Sequence, residues 1–411
     1  MTVILEFGLS HKAPYLCPNG IEGNAFTRRA FFWTLASGWI NLSPVKLAVL
    51  RSEVSYTKGG AERYAANLCR ELCNLGHEVW VLAEIFDPKV HPDLKHVPIK
   101  VNRLTSSTKH LTFNQNAQEA LKNLEVDQVI ALSRNFPSDA FRVSDPLQCY
   151  WMKLRYPGKI RGFIESINPR HRTILKIERA IMDPENTRII ITNSQLSKTL
   201  IGEYYDYPQD RIHVIYNGVD HEQFLPDPDY QEDSRIKLLF VGQDFKRKGL
   251  ANVIEAFAMA REKGHDCSLR VIGSDKPEPY RELAQKLEVA DAIEFEGPTR
   301  EIQKAYQTSD LFVFPSLYDP FANVVLESLA CGLPALTTTT NGSSEIIDEG
   351  KNGYVVTGAT DHLANDLADR IIQFLELTPE DRQKMRLASR ETAERYTITK
   401  NAEVIVNTLA Q

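Results

Sequence analysis

Short apolar runs at regular spacing restrict this chain more than any other feature. In its C-terminal half they fall at 236–241 (IKLLFV), 269–273 (LRVIG), 292–296 (AIEFE), 311–314 (LFVF) and 335–338 (ALTT). Runs of this length and composition suit strands buried on both faces, and helical patterns separate them. Such alternation argues a doubly wound parallel sheet, whose ligands bind beyond the carboxyl ends of the strands. The N-terminal half repeats the rhythm from Val45, with KLAVLR at 46–51, VDQVIAL at 126–132 and RIIIT at 188–192. The 411 residues suffice for two such domains. The polar segment DPDYQEDSR (227–235) reads as the linker between them.

Within this frame, residues 311–334 (LFVFPSLYDPFANVVLESLACGLP) concentrate the chemistry. A buried strand ends at Pro315-Ser316, and a helical stretch opens near Pro320 and stops at Gly332 and Pro334. Asp319 and Glu327 flank the start of that helix. If most of the span were helical, the two carboxylates would lie ~12 Å apart. Between them a helix N-terminus offers free N–H groups to an anion. Acid, anion cradle, acid is the layout expected for a nucleotide-sugar.

PSLYDPFANVVLESLACGLPAL resembles the signature of the group 1 glycosyltransferases of family 4, an acid–x7–acid pair followed by A-x-A-x-G-x-P. The first acid of that signature is Glu, and Asp319 replaces it here. Three further segments resemble the same family in the same order: GGAER at 59–63, YNGVD at 216–220 and DFKRKG at 244–249. The last looks especially like the lipopolysaccharide-core heptose glucosyltransferases. The resemblance implies a GT-B fold, two Rossmann-like domains facing a cleft, and retaining, metal-independent transfer of a hexose from a nucleotide-sugar. UDP-glucose is the favoured donor, and a cell-envelope or lipid-linked glycan the acceptor. It further implies that Asp319 receives donor-sugar hydroxyls, and that N–H groups near Ala322, Asn323 and Val324 hold sugar and phosphate oxygens. Glu327 then accepts from the ribose. Arg247 and Lys248 stabilise the leaving diphosphate, with Gly60 completing the cradle. Asp145 is a further candidate near the reacting sugar. Where relatives carry an Arg or a His, this chain has Gln243 and Gln148. Two other readings stay open at this stage: a nucleotide-sugar epimerase, and a non-catalytic GT-B protein that binds a glycan or partner.

Composition excludes other classes. A net charge of −6 gives no overall footprint for nucleic acid. The six cysteines form no C-x-x-C pair, which suits a reducing cytoplasm. Asp227-x-Asp229 lies in the polar linker and not at a strand end, so it is not read as a metal motif. One local charge excess stands out: eight Lys and Arg between 153 and 179 (153, 155, 159, 161, 170, 172, 176, 179) against Glu165 and Glu178. Tyr150, Trp151, Tyr156 and Phe163 interleave with it. The pattern suits peripheral contact with an anionic acceptor or membrane surface.

The domains expected are therefore an acceptor-side domain at 45–225, a donor-binding domain at 226–395 and a C-terminal helix at 396–411 that returns to the first. Residues 1–44 precede the α/β rhythm and are read as a poorly ordered extension. Thr27 to Phe32 loosely resembles a twin-arginine export signal, but the apolar stretch after it runs into the first strand without room for a cleavage site.

Overall fold

A computed structural model describes residues 44–56 and 59–411, with Lys159 by its backbone alone. The expected extension therefore lies outside the described residues, apart from Pro44. Residues from Pro44 onward form one compact unit containing two parallel sheets.

The first half carries β1 (Lys46–Leu50), β2 (Glu53–Val54), β3 (Glu78–Ala83), β4 (Ile85–Phe86), β5 (Lys95–Pro98), β6 (Gln128–Ala131), β7 (Ser138–Val143), β8 (Thr187–Thr192) and β9 (Ile212–Val214). Seven of these make an all-parallel sheet in the order β5-β3-β1-β6-β7-β8-β9, and β2 pairs with β4 in a separate ribbon. The second half carries β10 (Ile236–Val241), β11 (Cys267–Ile272), β12 (Ile293–Glu296), β13 (Leu311–Phe314), β14 (Ala335–Thr338) and β15 (Gly353–Val356), in the order β12-β11-β10-β13-β14-β15. The five apolar runs of this half are all strands, with ends moved by at most two residues. Their buried side chains, among them Leu238, Leu239, Phe312 and Val313, make one core with the helices on both faces.

The order of the second sheet decides where its chemistry sits. The chain winds outward from β10 to β12, then returns to place β13 beside β10, in the register Leu238 opposite Leu311. At such a switch point the two following helices leave on opposite faces and open a crevice between the loops. The loops that follow β10 and β13 are 242–249 and 315–322. These hold Arg247, Lys248 and Asp319.

The helix expected over the acid–x7–acid span is shorter than read. It runs Asn323–Ala330, so Asp319 to Ala322 are loop and only Glu327 is helical. Proline fixes its own φ but does not commit the next residues to a helix. Here the Asp319 backbone pairs instead with the 340–342 strand end: its N–H donates to the Thr340 carbonyl at 3.1 Å, and its carbonyl accepts from Gly342 at 2.9 Å.

The two halves are packed together. Helix Ile398–Leu409 lies on helix Gly60–Asn74 of the first half, where the Tyr64 hydroxyl donates to Asn401 Oδ1 at 2.6 Å. Tyr318, from the loop after β13, is fully buried in a cluster otherwise made of first-half residues such as Phe141, Leu147 and Tyr207. Burying one such ring is worth about 2 kcal/mol. Its ring meets Tyr150 edge-on at 4.8 Å.

Gly249 lets the two switch-point loops approach. Its φ is +80°, and a Cβ there would lie 2.4 Å from the Pro315 carbonyl oxygen. The left-handed conformation alone costs a residue with a Cβ about 1–2 kcal/mol. Gly249→Ala is therefore expected to lose at least about 2 kcal/mol of stability in urea unfolding. A loss below half of that would show that the loops part without strain.

Candidate active site

The loop after β10 is tied down before it delivers its cations. Phe245 is buried, and its N–H donates to Asp275 Oδ2 at 2.9 Å. The Lys248 N–H donates to the Asp244 carbonyl at 3.0 Å. This turn points the Lys248 side chain inward, where Nζ pairs with Asp319 Oδ2 and lies 4.9 Å from the Phe314 ring centroid. Burial pulls the Lys248 ammonium below its ordinary pKa, and the Asp319 charge opposes the fall. Arg247 stays at the rim. It pairs with Asp244 at 3.2 Å, donates to the Tyr318 carbonyl at 3.3 Å and stands 3.7 Å from Asp319. Two cations from one loop thus converge on one carboxylate from the other.

Asp319 is itself held, since its Oδ1 accepts the Phe321 N–H at 3.3 Å. The helix N-terminus beside it is partly occupied. Asn341 Oδ1 accepts the Ala322 N–H at 3.2 Å, so that group is not free for a ligand in this arrangement. A side-chain amide thus caps the position at which the expected cradle begins. Asn323 and Val324 begin the helix proper, and their N–H groups have no partner within it. The Asn323 side chain crosses to the first half. Its Oδ1 accepts from Asn217 Nδ2 at 2.5 Å, and its Nδ2 donates to the Gly60 carbonyl at 3.4 Å. The expected glycine of the cradle therefore faces the helix N-terminus directly.

Glu327 lies further along the same helix and is buried. The Tyr306 hydroxyl donates to its Oε2 at 3.1 Å, and Arg63 of the first half stands 3.7 Å from its Oε1. Burial raises the Glu327 pKa above 4.5, against the pull of Arg63. A small recess lined by Gly60, Arg63, Tyr64, Asn323 and Glu327 runs between the halves at this end.

Asp145 stands apart from this group. It pairs with Arg134 at 3.2 Å, and among the described residues it makes no ion pair with Arg247 or Lys248. Gln148, in the position where a histidine was considered, meets one all the same: its Nε2 lies 2.9 Å from His171 Nδ1. Gln243 is exposed.

Two family models match the chain. One described as "Glycosyl transferases group 1" matches residues 226–392, and one described as "Glycosyltransferase Family 4" matches 58–223. The chain is a glycosyltransferase with a family 4 domain followed by a group 1 domain. It is 26% identical over 360 residues to the lipopolysaccharide glucosyltransferase WaaG of Escherichia coli (strain K12), covering 84% of this chain and 92% of that protein. It is 25% identical over 367 residues to a D-inositol 3-phosphate glycosyltransferase of Corynebacterium aurimucosum, covering 78% and 84%. Among solved structures, WaaG superposes with a TM-score of 0.76 at 21% identity over 88% of this chain and 99% of that one. Anabaena HepE, solved with UDP-glucose, superposes at 0.66 with 17% identity over 89% and 99%. Both share the fold, which is GT-B.

For this glycosyltransferase, two residues at the crevice went unassigned in the sequence. Arg63 and Asn217 lie in stretches singled out there, yet each acts on a partner far away along the chain. Arg63 could have been suspected as the lone cation in the first turn of the helix after the glycine loop. Nothing in the sequence alone points to the amide pair of Asn217 and Asn323.

The Glu327 shift has a consequence for stability. Its pKa is raised in the fold, so its contribution to stability is present in acid and is lost as pH rises through the folded value. Each tenfold rise in proton affinity is worth about 1.4 kcal/mol. Glu327→Gln removes the ionisation, so the stability of the variant relative to wild type should grow as pH increases from about 4.5. Chemical unfolding of both proteins across pH measures this. A difference that stays flat or shrinks would mean that Arg63 fully compensates the buried charge.

Proposed function

We propose that this glycosyltransferase moves a hexose, with UDP-glucose the favoured donor, to a cell-envelope or lipid-linked glycan, with retention at the anomeric carbon. One observation carries the reading. Lys248 and Arg247 converge on Asp319 beside the N-terminus of the Asn323–Ala330 helix, and Glu327 closes the far end. The name of WaaG, a lipopolysaccharide glucosyltransferase, supports glucose and a lipid-borne acceptor.

The roles follow from charge. The diphosphate lies over the first-turn N–H groups of Asn323 and Val324, within reach of Lys248 and Arg247. Asp319 accepts hexose hydroxyls, and Glu327 accepts from the ribose. As the bond from the anomeric carbon to phosphate breaks, one negative charge develops on the departing diphosphate. Fixed cations and N–H groups in a partly dry crevice stabilise that charge. The acceptor hydroxyl attacks from the same face, and its proton passes to the leaving phosphate oxygen. The products are the glycoside and the nucleoside diphosphate, and no side chain serves as nucleophile. We assign the charge stabilisation to these side chains and not to a metal ion. Asp145, on the first half, is proposed to face the acceptor.

The partner surface follows from helix Lys159–Ile167. Ile160, Phe163, Ile164 and Ile167, at helical spacing, are 81, 68, 56 and 56% exposed. Exposed cations surround them at 153, 155, 161, 170, 172, 176 and 179. Glu178 does not offset these, because it is buried and accepts the Gln148 N–H at 2.7 Å. The aromatics expected at this surface are mostly turned inward: Tyr150 packs on Tyr318, Trp151 on Arg247 and Tyr156 on His171. An apolar stripe ringed by cations matches an anionic lipid surface. No helix among the described residues is long and apolar enough to cross a membrane. We infer a peripheral contact at the inner membrane face.

Purified protein should turn over UDP-glucose in preference to GDP- and ADP-sugars, with the α-anomeric configuration kept in the product. EDTA should not change the rate. Lys248→Ala should lower kcat by about 100- to 1,000-fold, checked in folded protein by its melting curve. Activity that EDTA abolishes, or that survives the Lys248 change, overturns the charge assignment.

Vesicle co-sedimentation tests the surface. Wild-type protein should bind phosphatidylglycerol-containing vesicles at low salt and release them at high salt. Replacing Ile160, Phe163, Ile164 and Ile167 together by Ser should weaken binding at least about tenfold, given the apolar area involved. Equal binding by the variant would refute the insertion. Loss of a wild-type dimer in the variant would assign the stripe to a second copy.

A further inference from the structure

Glu345 occupies a position that the transfer chemistry does not use. It belongs to the second half, in the turn Gly342–Ile346 that follows β14. Among the described residues, the three hydrogen bonds to its carboxylate all come from the first half. Its carboxylate accepts the N–H of Gln195 at 2.8 Å and of Leu196 at 2.7 Å, and the Tyr216 hydroxyl at 2.8 Å. Gln195 and Leu196 open helix Gln195–Tyr204, so the carboxylate sits on a helix N-terminus, where its charge is favoured. Burial and the neighbouring Glu345 raise the Tyr216 phenol well above its ordinary pKa, which keeps it a donor.

The same turn is fastened to the donor site on its other side. Asn341 caps the Ala322 N–H, and Gly342 donates to the Asp319 carbonyl. There is no slack between these attachments. A Cβ on Gly342 would lie 1.9 Å from the Pro320 carbonyl oxygen and 2.5 Å from Ser194 Cβ. The turn is a thin wedge between the sugar end of the donor site and the first half.

We propose that Glu345 is the latch that docks the donor loop onto the acceptor-side domain, a positioning residue for transfer and not a donor ligand. The proposal rests on the glycosyl-transfer reading above. With the latch in place, the Asp319 loop is registered against the first domain, so the acceptor hydroxyl meets the anomeric carbon on the face from which the diphosphate departs. Without it, the donor still finds Lys248, Arg247 and Glu327, all unaltered, but the acceptor side is no longer held in register. Misplacement of this kind costs rate and not donor affinity.

The test compares Glu345→Ala, Glu345→Gln, Glu345→Asp and Tyr216→Phe with wild type. Glu345 is exposed, so what it contributes is register more than binding strength. Misplacing reacting groups by about an ångström costs up to about 100-fold in rate, so Glu345→Ala is expected to lower kcat about 10- to 100-fold, with the Kd for UDP-glucose within about twofold of wild type. Tyr216→Phe should fall in the same direction by a smaller factor. Glu345→Gln keeps one acceptor oxygen and should lie between, and Glu345→Asp should recover part of the rate. Adding Tyr216→Phe to Glu345→Ala should bring little further loss, since both remove the same contact. Small-angle scattering of the unliganded proteins provides an arm independent of turnover: Glu345→Ala should be larger in maximum dimension than wild type. A Glu345→Ala protein with wild-type kcat and dimensions overturns the latch. So does one whose donor Kd rises in parallel with the loss of kcat, which would make Glu345 part of the donor site. If wild type turns over no nucleotide-sugar, the transfer reading fails, and the scattering result alone then decides the latch.

Discussion

The ion pair between Lys248 and Asp319 joins the two loops of the switch point, and the rest of the crevice depends on it. An ammonium as buried as that of Lys248 is costly to desolvate, and it persists only where a fixed anion answers it. The answer has to come from the loop after β13, because the strand order places that loop beside the loop after β10. Gly249 permits the approach, and Phe245 and Asp244 fix the direction of the lysine. Breaking such a pair by removing one partner leaves an unanswered charge, which costs about 3–5 kcal/mol in buried cases. Asp319 thus has a structural task in the fold, and on the proposed reading a binding task as well, once a donor brings its own negative charge to Lys248 and Arg247.

From this anchor the interface between the domains is built outward in three kinds of contact. The apolar one is Tyr318, one residue before Asp319, which is sunk among first-domain side chains. The amide one is Asn323, which reaches both Asn217 and Gly60. Arg63 and Glu327 supply a looser charged contact at the end proposed for the nucleoside. Each contact begins within a few residues of a group assigned to the donor. Any movement that separates the domains must therefore disturb the proposed donor site, and any ligand that reshapes that site is felt at the interface. Coupling of this kind needs only shared residues and no long relay.

Much of this was legible in the chain. Buried strands announce themselves as short apolar runs, because a parallel sheet covered on both faces tolerates little else. Asp319, Lys248 and Arg247 were legible as chemistry because they sit where such runs end. The start of the helix after Asp319 was misjudged by about three residues. Local rules favour Pro320 as a first helical residue, but the pairing of Asp319 with Thr340 and Gly342 wins, and that pairing depends on residues some twenty positions away. The fate of the Ala322 N–H was hidden for the same reason, since the Asn341 amide that takes it comes from another loop. Tyr150, Trp151 and Tyr156 looked like a surface belt because composition does not say which way a helix turns. The exposed stripe of Ile160, Phe163, Ile164 and Ile167 was there to be read by its spacing, but the aromatics drew attention away from it.

Two of the departures from the family pattern take on a different weight in this geometry. Aspartate in place of glutamate at 319 shortens the carboxylate by one methylene. Its two oxygens are nonetheless both engaged, one by the Phe321 N–H and one by Lys248 with Arg247 nearby. A shorter acid that already meets its cations needs no longer reach toward them; what changes is the distance left to a sugar hydroxyl on the other side. Gln243 in place of arginine removes a cation from an exposed position at the loop's outer edge, while the buried and half-buried cations of the same loop remain. Charge at an exposed edge is screened, and charge inside the crevice is not. On the proposed reading, the cations that matter most for a departing diphosphate are therefore the two that this chain retains.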